Sequence, residues 1–147
     1  MTDYSLLSEQ LAALSEGVPV PVSVLANAAA LLWETLPACN WAGFYLLRGD
    51  TLYLGPFQGK VACVAIPMGR GVCGTAAARD ETQRVPDVHA FPGHIACDGR
   101  SQSEIVVPVH DADGQLIAVF DVDSDKPAAF DDTDQRWLET ILKATFG

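Results

Sequence analysis

Apolar residues spaced three or four positions apart predict α-helices at both ends of the chain. The first helix covers about residues 3–15, and the second runs from Pro21, whose ring suits a first helical position, to Leu36. A third begins after Asp131, which caps it, and acidic residues in its first turn favour the helix dipole. The predicted core positions of these helices are Leu7, Leu11, Leu14, Leu25, Ala28, Leu32, Leu36, Leu138, Ile141, Leu142 and Thr145.

Short apolar runs and two-residue alternation predict β-strands in the middle of the chain. Gly49-Asp50 and Asp113-Gly114 are tight-turn signals between such runs, so the strands on either side of each turn should pair antiparallel. A short helix is expected over residues 72–80, and residues 55–60 are expected to form a loop. The predicted strands are residues 41–48, 51–54, 61–66, 83–85, 104–110 and 115–123.

This order of elements predicts an α+β fold. The sheet should be largely antiparallel, and the helices from the two chain ends should cover one of its faces. A length of 147 residues favours one domain, which buries enough surface to be stable without disulfides. The long irregular region that starts near Asp87 and ends at Glu104 is unusual in a compact domain, and such loops are often functional.

The charge balance restricts the possible partners. The chain has 19 acidic and 9 basic residues, a net charge of -10, which disfavours nucleic acid and anionic membranes as partners. Its N-terminus has no signal-peptide pattern, and no apolar run is long enough to span a bilayer. We therefore expect a cytoplasmic protein whose four cysteines are reduced unless they bind metal or carry redox chemistry.

Acidic residues on the last predicted strand are the first sign of a site. Val119, Asp121 and Asp123 should point to one face of that strand, and Glu104 opens its hairpin neighbour. Crowded carboxylates that are shielded from water hold their protons, a property that acid–base catalysis uses. The alternative is that these residues are solvated strand ends. The residues expected on the opposite, core face of the strand are Leu116, Ala118, Phe120 and Val122.

The cysteines allow three interpretations. All four can be small buried hydrophobic residues, which suits Cys39 best. Cys63, Cys73, Cys97 and His94 can form a zinc site, but they lack the closely spaced cysteine pairs of structural zinc sites. In a redox interpretation, Cys97 is the attacking thiol, because it lies in a glycine-containing loop, and another cysteine resolves it.

Aromatic side chains on the first predicted strand are a second candidate for binding. Trp41, Gly43, Tyr45 and Leu47 should share one face, so that two rings flank a glycine and leave a slot between them. Ordinary core packing accounts for the same pattern.

Six segments of the chain form a more specific set. They are NWAGFY (40–45), GVCGTA (71–76), DVH (87–89), GHIACD (93–98), SEIVVP (103–108) and DVDS (121–124). Together they resemble the free methionine-(R)-sulfoxide reductases, small enzymes made of one GAF domain. The spacing of Cys63, Cys73 and Cys97 also matches, and it is more specific than the GAF fold. The resemblance implies a single GAF domain over residues 1–147, with a ligand pocket on the sheet face opposite the terminal helices.

The resemblance also implies a role for each candidate residue. Cys97 resembles the catalytic cysteine, Cys63 the main resolving cysteine, and Cys73 a possible second one. The remaining roles fall on binding residues: the carboxylates Glu104, Asp121 and Asp123 for the substrate ammonium and sulfoxide oxygen, the rings of Trp41 and Tyr45 for the methyl group, and the backbone amides of Ile95 and Ala96 for the substrate carboxylate.

The reaction implied is reduction of free methionine-(R)-sulfoxide without a cofactor or metal. Cys97 would attack the sulfur while Glu104 or Asp123 protonates the oxygen, and the resulting sulfenic acid would condense with Cys63 or Cys73. A thioredoxin-type dithiol would then reduce the disulfide, and the family implies a homodimer. The alternative function is a non-catalytic GAF module that senses a small molecule.

Overall fold

The computed structural model describes residues 2–93 and 99–147 and contains one six-stranded antiparallel sheet. The strand order is β3-β2-β1-β6-β5-β4, so β1 and β6 form the centre of the sheet, and β3 and β4 are its edge strands. The strands are β1 (Cys39–Arg48), β2 (Thr51–Gln58), β3 (Ala65–Pro67), β4 (Gln83–Val85), β5 (Ser103–His110) and β6 (Leu116–Ser124).

Three helices cover one face of this sheet, as the sequence predicts. They are α1 (Tyr4–Ser15), α2 (Pro21–Thr35) and α4 (Asp132–Phe146). Asp3 caps α1 by accepting a hydrogen bond from the Leu6 amide, and Asp131 and Asp134 form a reciprocal capping box at the start of α4. Their apolar sides pack on the inward side chains of β1, β5 and β6, including Phe44, Phe120 and Ile105. This core confirms the α+β prediction.

The opposite face of the sheet holds a smaller core under a single short helix, α3 (Gly71–Arg79). Gly74 lets α3 approach the sheet edge, because a β-carbon there would lie 2.5 Å from the carbonyl oxygen of Pro67. Trp41, Tyr45 and Val106 pack beneath this helix. Since one helix cannot cover the whole face, space is left at the end of the sheet where β5 begins and β6 ends.

The predicted strand over residues 61–66 is confirmed only at Ala65 and Ile66 and is wrong over residues 61–64. Only Ala65–Pro67 pairs with β2, and Val61 and Val64 are exposed rather than buried. In the preceding segment, two backbone carbonyls accept hydrogen bonds from side chains. The carbonyl of Lys60 accepts one from the Trp41 indole, and the carbonyl of Cys63 accepts one from the Tyr45 hydroxyl. At these two carbonyls, side chains of β1 therefore take the place of the backbone donors that a neighbouring strand would supply.

The loop predicted over residues 55–60 is also wrong, because β2 continues to Gln58. Its register against β1 shifts between the pairs Gly43–Phe57 and Tyr45–Leu54, and this irregularity accommodates Gly55 and Pro56 within the strand.

A bulge and an end effect explain two smaller errors. The register between β5 and β6 shifts near Val109 and His110, so Leu116 packs with the core under α3 instead of the larger core. Leu14 lies in the last turn of α1 and is exposed, whereas Leu7 and Leu11 of the same helix face are buried. None of the helices within residues 2–93 and 99–147 is long and apolar enough to cross a membrane.

Candidate active site

A pocket lies between the sheet, the start of α3 and the segment that leads from β2 to β3. It encloses about 540 Å³ of empty space, including its open mouth. Six of the residues singled out from the sequence line it, namely Trp41, Tyr45, Cys73, Glu104, Asp121 and Asp123. The other lining residues are Val61, Ala62, Ile66, Arg70, Gly71, Val72 and Ser101.

Strand register brings the three carboxylates together on the pocket floor. Glu104 on β5 lies directly opposite Asp123 on β6, and Asp121 is two residues further along β6, so it shares their face. On the other side of β6, Asp123 pairs with Trp41 and Asp121 pairs with Gly43. The sequence prediction that the two aspartates share a face with Glu104 nearby is confirmed.

Burial raises the pKa of two of these carboxyl groups. Burial raises the pKa of Glu104 well above its usual value, and the charge of Asp121 raises it further. The pKa of Asp121 is also raised well above its usual value, first by burial and then by the charge of Asp123. One oxygen of Asp121, Oδ1, is buried without a hydrogen-bond partner in the described structure. The floor therefore combines carboxyl groups of raised pKa with a buried oxygen that has no hydrogen-bond partner in the described structure.

Cys73 faces this floor from the first turn of α3. It is a free thiol, and its sulfur lies within 4.8 Å of carboxylate oxygens of both Glu104 and Asp121. Its hydrogen bond with Asp121, the surrounding carboxylates and above all burial raise the pKa of the thiol well above its usual value. Cys73 is therefore a protonated thiol rather than a reactive thiolate near neutral pH.

Cys63 is chemically distinct from Cys73 and Cys39, because it is disulfide-bonded whereas those two are free. It is half-buried beside the pocket-lining residue Ala62, in the segment held by Tyr45. Three predicted site residues, Ile95, Ala96 and Cys97, lie outside the described residues.

Cys39 belongs to a different environment. Its thiol donates to the carbonyl of Trp41 at 3.3 Å, and its side chain packs against the core under the terminal helices. Burial raises its pKa to about 12. These contacts agree with the interpretation of Cys39 as a small core residue.

The aromatic wall differs from the predicted slot. The rings of Trp41 and Tyr45 are stacked, with centroids 5.9 Å apart, and Phe57 of β2 stacks on Trp41 at 5.3 Å. A β-carbon on Gly43 would clash with the β-carbon of Phe57 and lie 2.9 Å from the Trp41 ring, so this glycine makes room for both residues instead of leaving an open gap. Gly59 does the same on the other side, where a β-carbon would lie 2.6 Å from Trp41. The rings form one continuous surface.

Sequence reasoning missed three contributors to this site. Phe57 was assigned to a loop, so its stacking on Trp41 could not be foreseen. Arg70 lines the pocket from the residue before α3, and Ser101 is buried there with its hydroxyl oxygen unpartnered in the described part of the chain. Arg70 lies in a glycine-flanked turn, which was a usable signal, whereas nothing in the sequence marked Ser101.

The donor groups of Cys73, Glu104 and Asp121 are close enough to one another to ligate a metal ion. They are not the set expected from the sequence for zinc, which included Cys63 and His94. Cys63 is disulfide-bonded and so offers no thiolate ligand, and His94 lies outside the described residues.

Comparison with known proteins places this geometry in context. The model of the GAF domain family matches residues 21–144. The free methionine-R-sulfoxide reductase of Escherichia coli is 53% identical to this chain over 139 residues, which is 95% of this chain and 84% of that protein.

Two solved structures have the same fold. The Staphylococcus aureus fRMsr in complex with substrate has a TM-score of 0.92 and 50% identity, covering 97% of this chain and 93% of that one. The free methionine-R-sulfoxide reductase from Neisseria meningitidis in complex with its substrate has a TM-score of 0.90 and 45% identity, covering 97% and 87%.

Proposed function

Because this chain belongs to the GAF domain family and, within it, to the free methionine-R-sulfoxide reductases, we propose that it is an oxidoreductase that reduces free L-methionine-(R)-sulfoxide to L-methionine. The observation that carries the proposal is the carboxylate floor of buried Glu104 and Asp121 and half-buried Asp123 beneath an aromatic wall, in a pocket bordered by a disulfide-bonded cysteine.

The floor and wall suit the two ends of a free amino acid. The substrate ammonium supplies the partner that Asp121 Oδ1 lacks, and it pairs with Asp123 beside it. The methyl group packs on Trp41 and Tyr45, and the backbone amides of Ile95 and Ala96 bind the carboxylate. A methionine sulfoxide within a peptide has neither terminal charge, so it would leave the buried polar groups unpaired and bind poorly.

Reduction begins at Cys97. Its thiolate attacks the sulfoxide sulfur, and the S–O bond breaks as the oxygen accepts a proton. The attack joins the Cys97 sulfur to the substrate sulfur; the hydroxide released from the S–O bond then attacks the Cys97 sulfur, and methionine leaves with the electron pair of the S–S bond, so that Cys97 becomes a sulfenic acid. Glu104 is the proposed proton donor, because burial and the charge of Asp121 raise its pKa well above the usual value and so favour its protonated form; Asp123 is the alternative donor.

Resolution of the sulfenic acid is assigned to Cys63. The Cys63 thiol attacks the Cys97 sulfur, a disulfide forms and water is released. The disulfide-bonded state of Cys63 supports this assignment over Cys73, which is a free and deeply buried thiol of raised pKa. Cys73 remains the candidate for a second resolving thiol. A thioredoxin-type dithiol restores the reduced enzyme, and a cytoplasmic location fits this requirement for a reducing partner.

The chain is further proposed to act as a single-domain homodimer. Exposed apolar side chains on the first two helices, among them Leu6, Val22 and Trp33, offer surface for association. Sedimentation at several protein concentrations tests this; a monomer throughout would exclude it.

The decisive experiment measures activity on separate epimers of free methionine sulfoxide, with dithiothreitol as reductant. We expect turnover of the R epimer only, none of N-acetylated methionine sulfoxide, and abolition by Cys97→Ser. Cys39→Ser is the matched control and should retain full activity. A non-catalytic sensor would instead bind ligand without consuming thiols, so an unchanged thiol count after addition of substrate to reduced protein would overturn the proposal.

A further inference from the structure

The segment between β2 and β3 presents unusual apolar surface to water. Val61 is 88% exposed and Val64 is 69% exposed, more than any other large hydrophobic residue in the described chain. Single exposed valines are common on soluble proteins. These two are notable because they flank Cys63, the disulfide-bonded cysteine, at two positions before and one position after it.

Three hydrogen bonds hold this segment in place. Its carbonyls at Lys60 and Cys63 each accept a bond of 3.0 Å, from Trp41 and Tyr45 respectively. The carbonyl of Val64 accepts a third from the Leu54 amide at 2.9 Å. The two valines are thus displayed on a fixed backbone, which lowers the ordering cost of binding a partner there.

The chemistry of disulfide reduction restricts where a reductant can bind. An attacking thiolate must approach a sulfur of the disulfide in a mixed-disulfide reaction, so a protein reductant has to contact the residues around that sulfur. Cys63 is half-buried, so it retains some exposure within this segment. A protein that reaches it covers Val61 and Val64, whose burial would then contribute favourably to binding.

Local charge favours an acidic partner despite the overall charge of -10. Lys60 directly precedes Val61, and Arg70 lines the neighbouring pocket mouth. Both side chains are exposed, and they are two of only nine lysines and arginines in the chain. This combination fits a partner with an apolar contact surface and acidic groups at its edge.

We propose that residues 61–64 form the docking surface for a protein dithiol reductant, which attacks the sulfur of Cys63. The inference rests on the proposed function. One thiolate of the reductant forms a disulfide with Cys63 and releases the thiolate of its partner cysteine, proposed above to be Cys97. The second thiol of the reductant then attacks the mixed disulfide, releasing Cys63, so that two electrons pass to the enzyme.

The first test compares two reductants on the same variants. Val64→Asp and Lys60→Glu should each raise the KM for thioredoxin about tenfold, the size expected for a moderate interface contact. Their rates with dithiothreitol and their KM for methionine sulfoxide should stay unchanged, because neither side chain lines the pocket. Val18→Asp, an equally polar change at an exposed valine in the connection between α1 and α2, is the matched control.

The outcomes separate the two proposals. Unchanged thioredoxin kinetics in both variants, with normal dithiothreitol activity, would overturn the docking surface and leave the reductase assignment intact. Absence of methionine sulfoxide reduction by the unmodified protein with either reductant would instead overturn the proposed function.

A trapping experiment tests which sulfur is attacked. A thioredoxin whose second active-site cysteine is replaced by serine cannot complete the exchange, so it should accumulate as a mixed disulfide with the oxidised enzyme. Peptide mass spectrometry after acid quenching should place this disulfide on Cys63. A complex formed on another cysteine would refute attack at Cys63.

Discussion

At the scale of single residues, two neighbouring carboxyl groups have environments that determine their chemistry. Glu104 and Asp121 are both buried, which raises the pKa of each; the charge of Asp121 raises the pKa of Glu104 further, and the charge of Asp123 does the same to Asp121. A protonated carboxyl group can donate a proton to a sulfoxide oxygen, whereas an ionised one can hold an ammonium group. The pocket floor can therefore serve both catalysis and binding if one of its carboxyl groups is protonated while another is ionised.

Replacing Glu104 tests the catalytic half of this argument. Glu104→Gln keeps the shape of the side chain but removes the transferable proton, so kcat should fall about 100-fold or more, as is usual for loss of a general acid. The KM for methionine sulfoxide should change little. Steady-state kinetics with dithiothreitol measures both, and Asp125→Asn, at an exposed position just beyond β6, is the control. A kcat equal to that of the parent would transfer the role to Asp123.

Replacing Asp121 tests its raised pKa through the pH dependence of the free energy of unfolding. The folded-state pKa of Asp121 lies well above its ordinary value of 3.8, so the folded state binds more protons than the unfolded one between these two pKa values. Stability from this group is complete below about pH 4, falls as pH rises, and reaches its minimum above the folded-state pKa. The loss amounts to about 1.4 kcal/mol for each unit of pKa shift.

Asp121→Asn removes this ionisation. The free energy of unfolding of the variant, relative to that of the parent, should therefore increase as the pH is raised from 5 to 8. Urea unfolding at both pH values measures the difference. Equal pH dependence in the two proteins would mean that Asp121 ionises normally in the folded state. Glu104 remains in the variant, so part of the pH dependence should persist.

At the scale of elements, β1 organises the pocket through its side chains as well as its ladder. Trp41 and Tyr45 stack on the sheet and also hydrogen-bond to the carbonyls of Lys60 and Cys63. The aromatic wall thus fixes the backbone that carries the resolving cysteine proposed above. Packing, substrate contact and disulfide geometry depend on the same two rings.

Tyr45→Phe separates the hydroxyl from the ring. The ring still fills the core, but the carbonyl of Cys63 loses its donor, and the free energy of unfolding should fall by about 1 kcal/mol. Formation of the disulfide after a single turnover should also slow, because the backbone of Cys63 is less well positioned. Denaturant unfolding and rapid-quench thiol analysis measure the two effects. Tyr53→Phe, at an exposed tyrosine of β2, should change neither.

Local rules predicted those elements whose partners are close in sequence. The cap at Asp131 and the alternation along β6 depend on a few adjacent residues, and they were predicted correctly. The alternation was sufficient to place Asp121 and Asp123 on one face. This is why the carboxylate floor was predictable without a structure.

Errors arose where distant contacts overrode local preference. Residues 61–64 are apolar enough for a buried strand, yet their conformation is set by side chains of β1 about 19 positions away. The bulge in β2 that retains Phe57 in the sheet has no signal beyond Gly55 and Pro56, which also suit a loop. The burial of Ser101 likewise depends on the assembled pocket.

At the scale of the whole molecule, the redox state should be coupled to folding stability. The proposed disulfide between Cys63 and Cys97 closes a loop of about 35 residues, which lowers the entropy of the unfolded chain and stabilises the oxidised protein by up to about 4 kcal/mol. The same coupling acts in reverse, because a fold that accommodates the disulfide favours its formation. Catalysis then alternates between a more stable oxidised form and a less stable reduced form.

Thermal unfolding of the oxidised and reduced protein tests this coupling. The oxidised form should melt several degrees higher, and Cys63→Ser should abolish the difference because no disulfide can form at that position. Cys39→Ser should preserve the difference, since Cys39 is a free thiol in the opposite core. Cys73→Ser should also preserve it, which makes the comparison a structural test of the resolving thiol independent of any activity assay. If Cys73→Ser rather than Cys63→Ser removes the difference, the disulfide that forms in solution involves Cys73, and the resolving role moves to that residue.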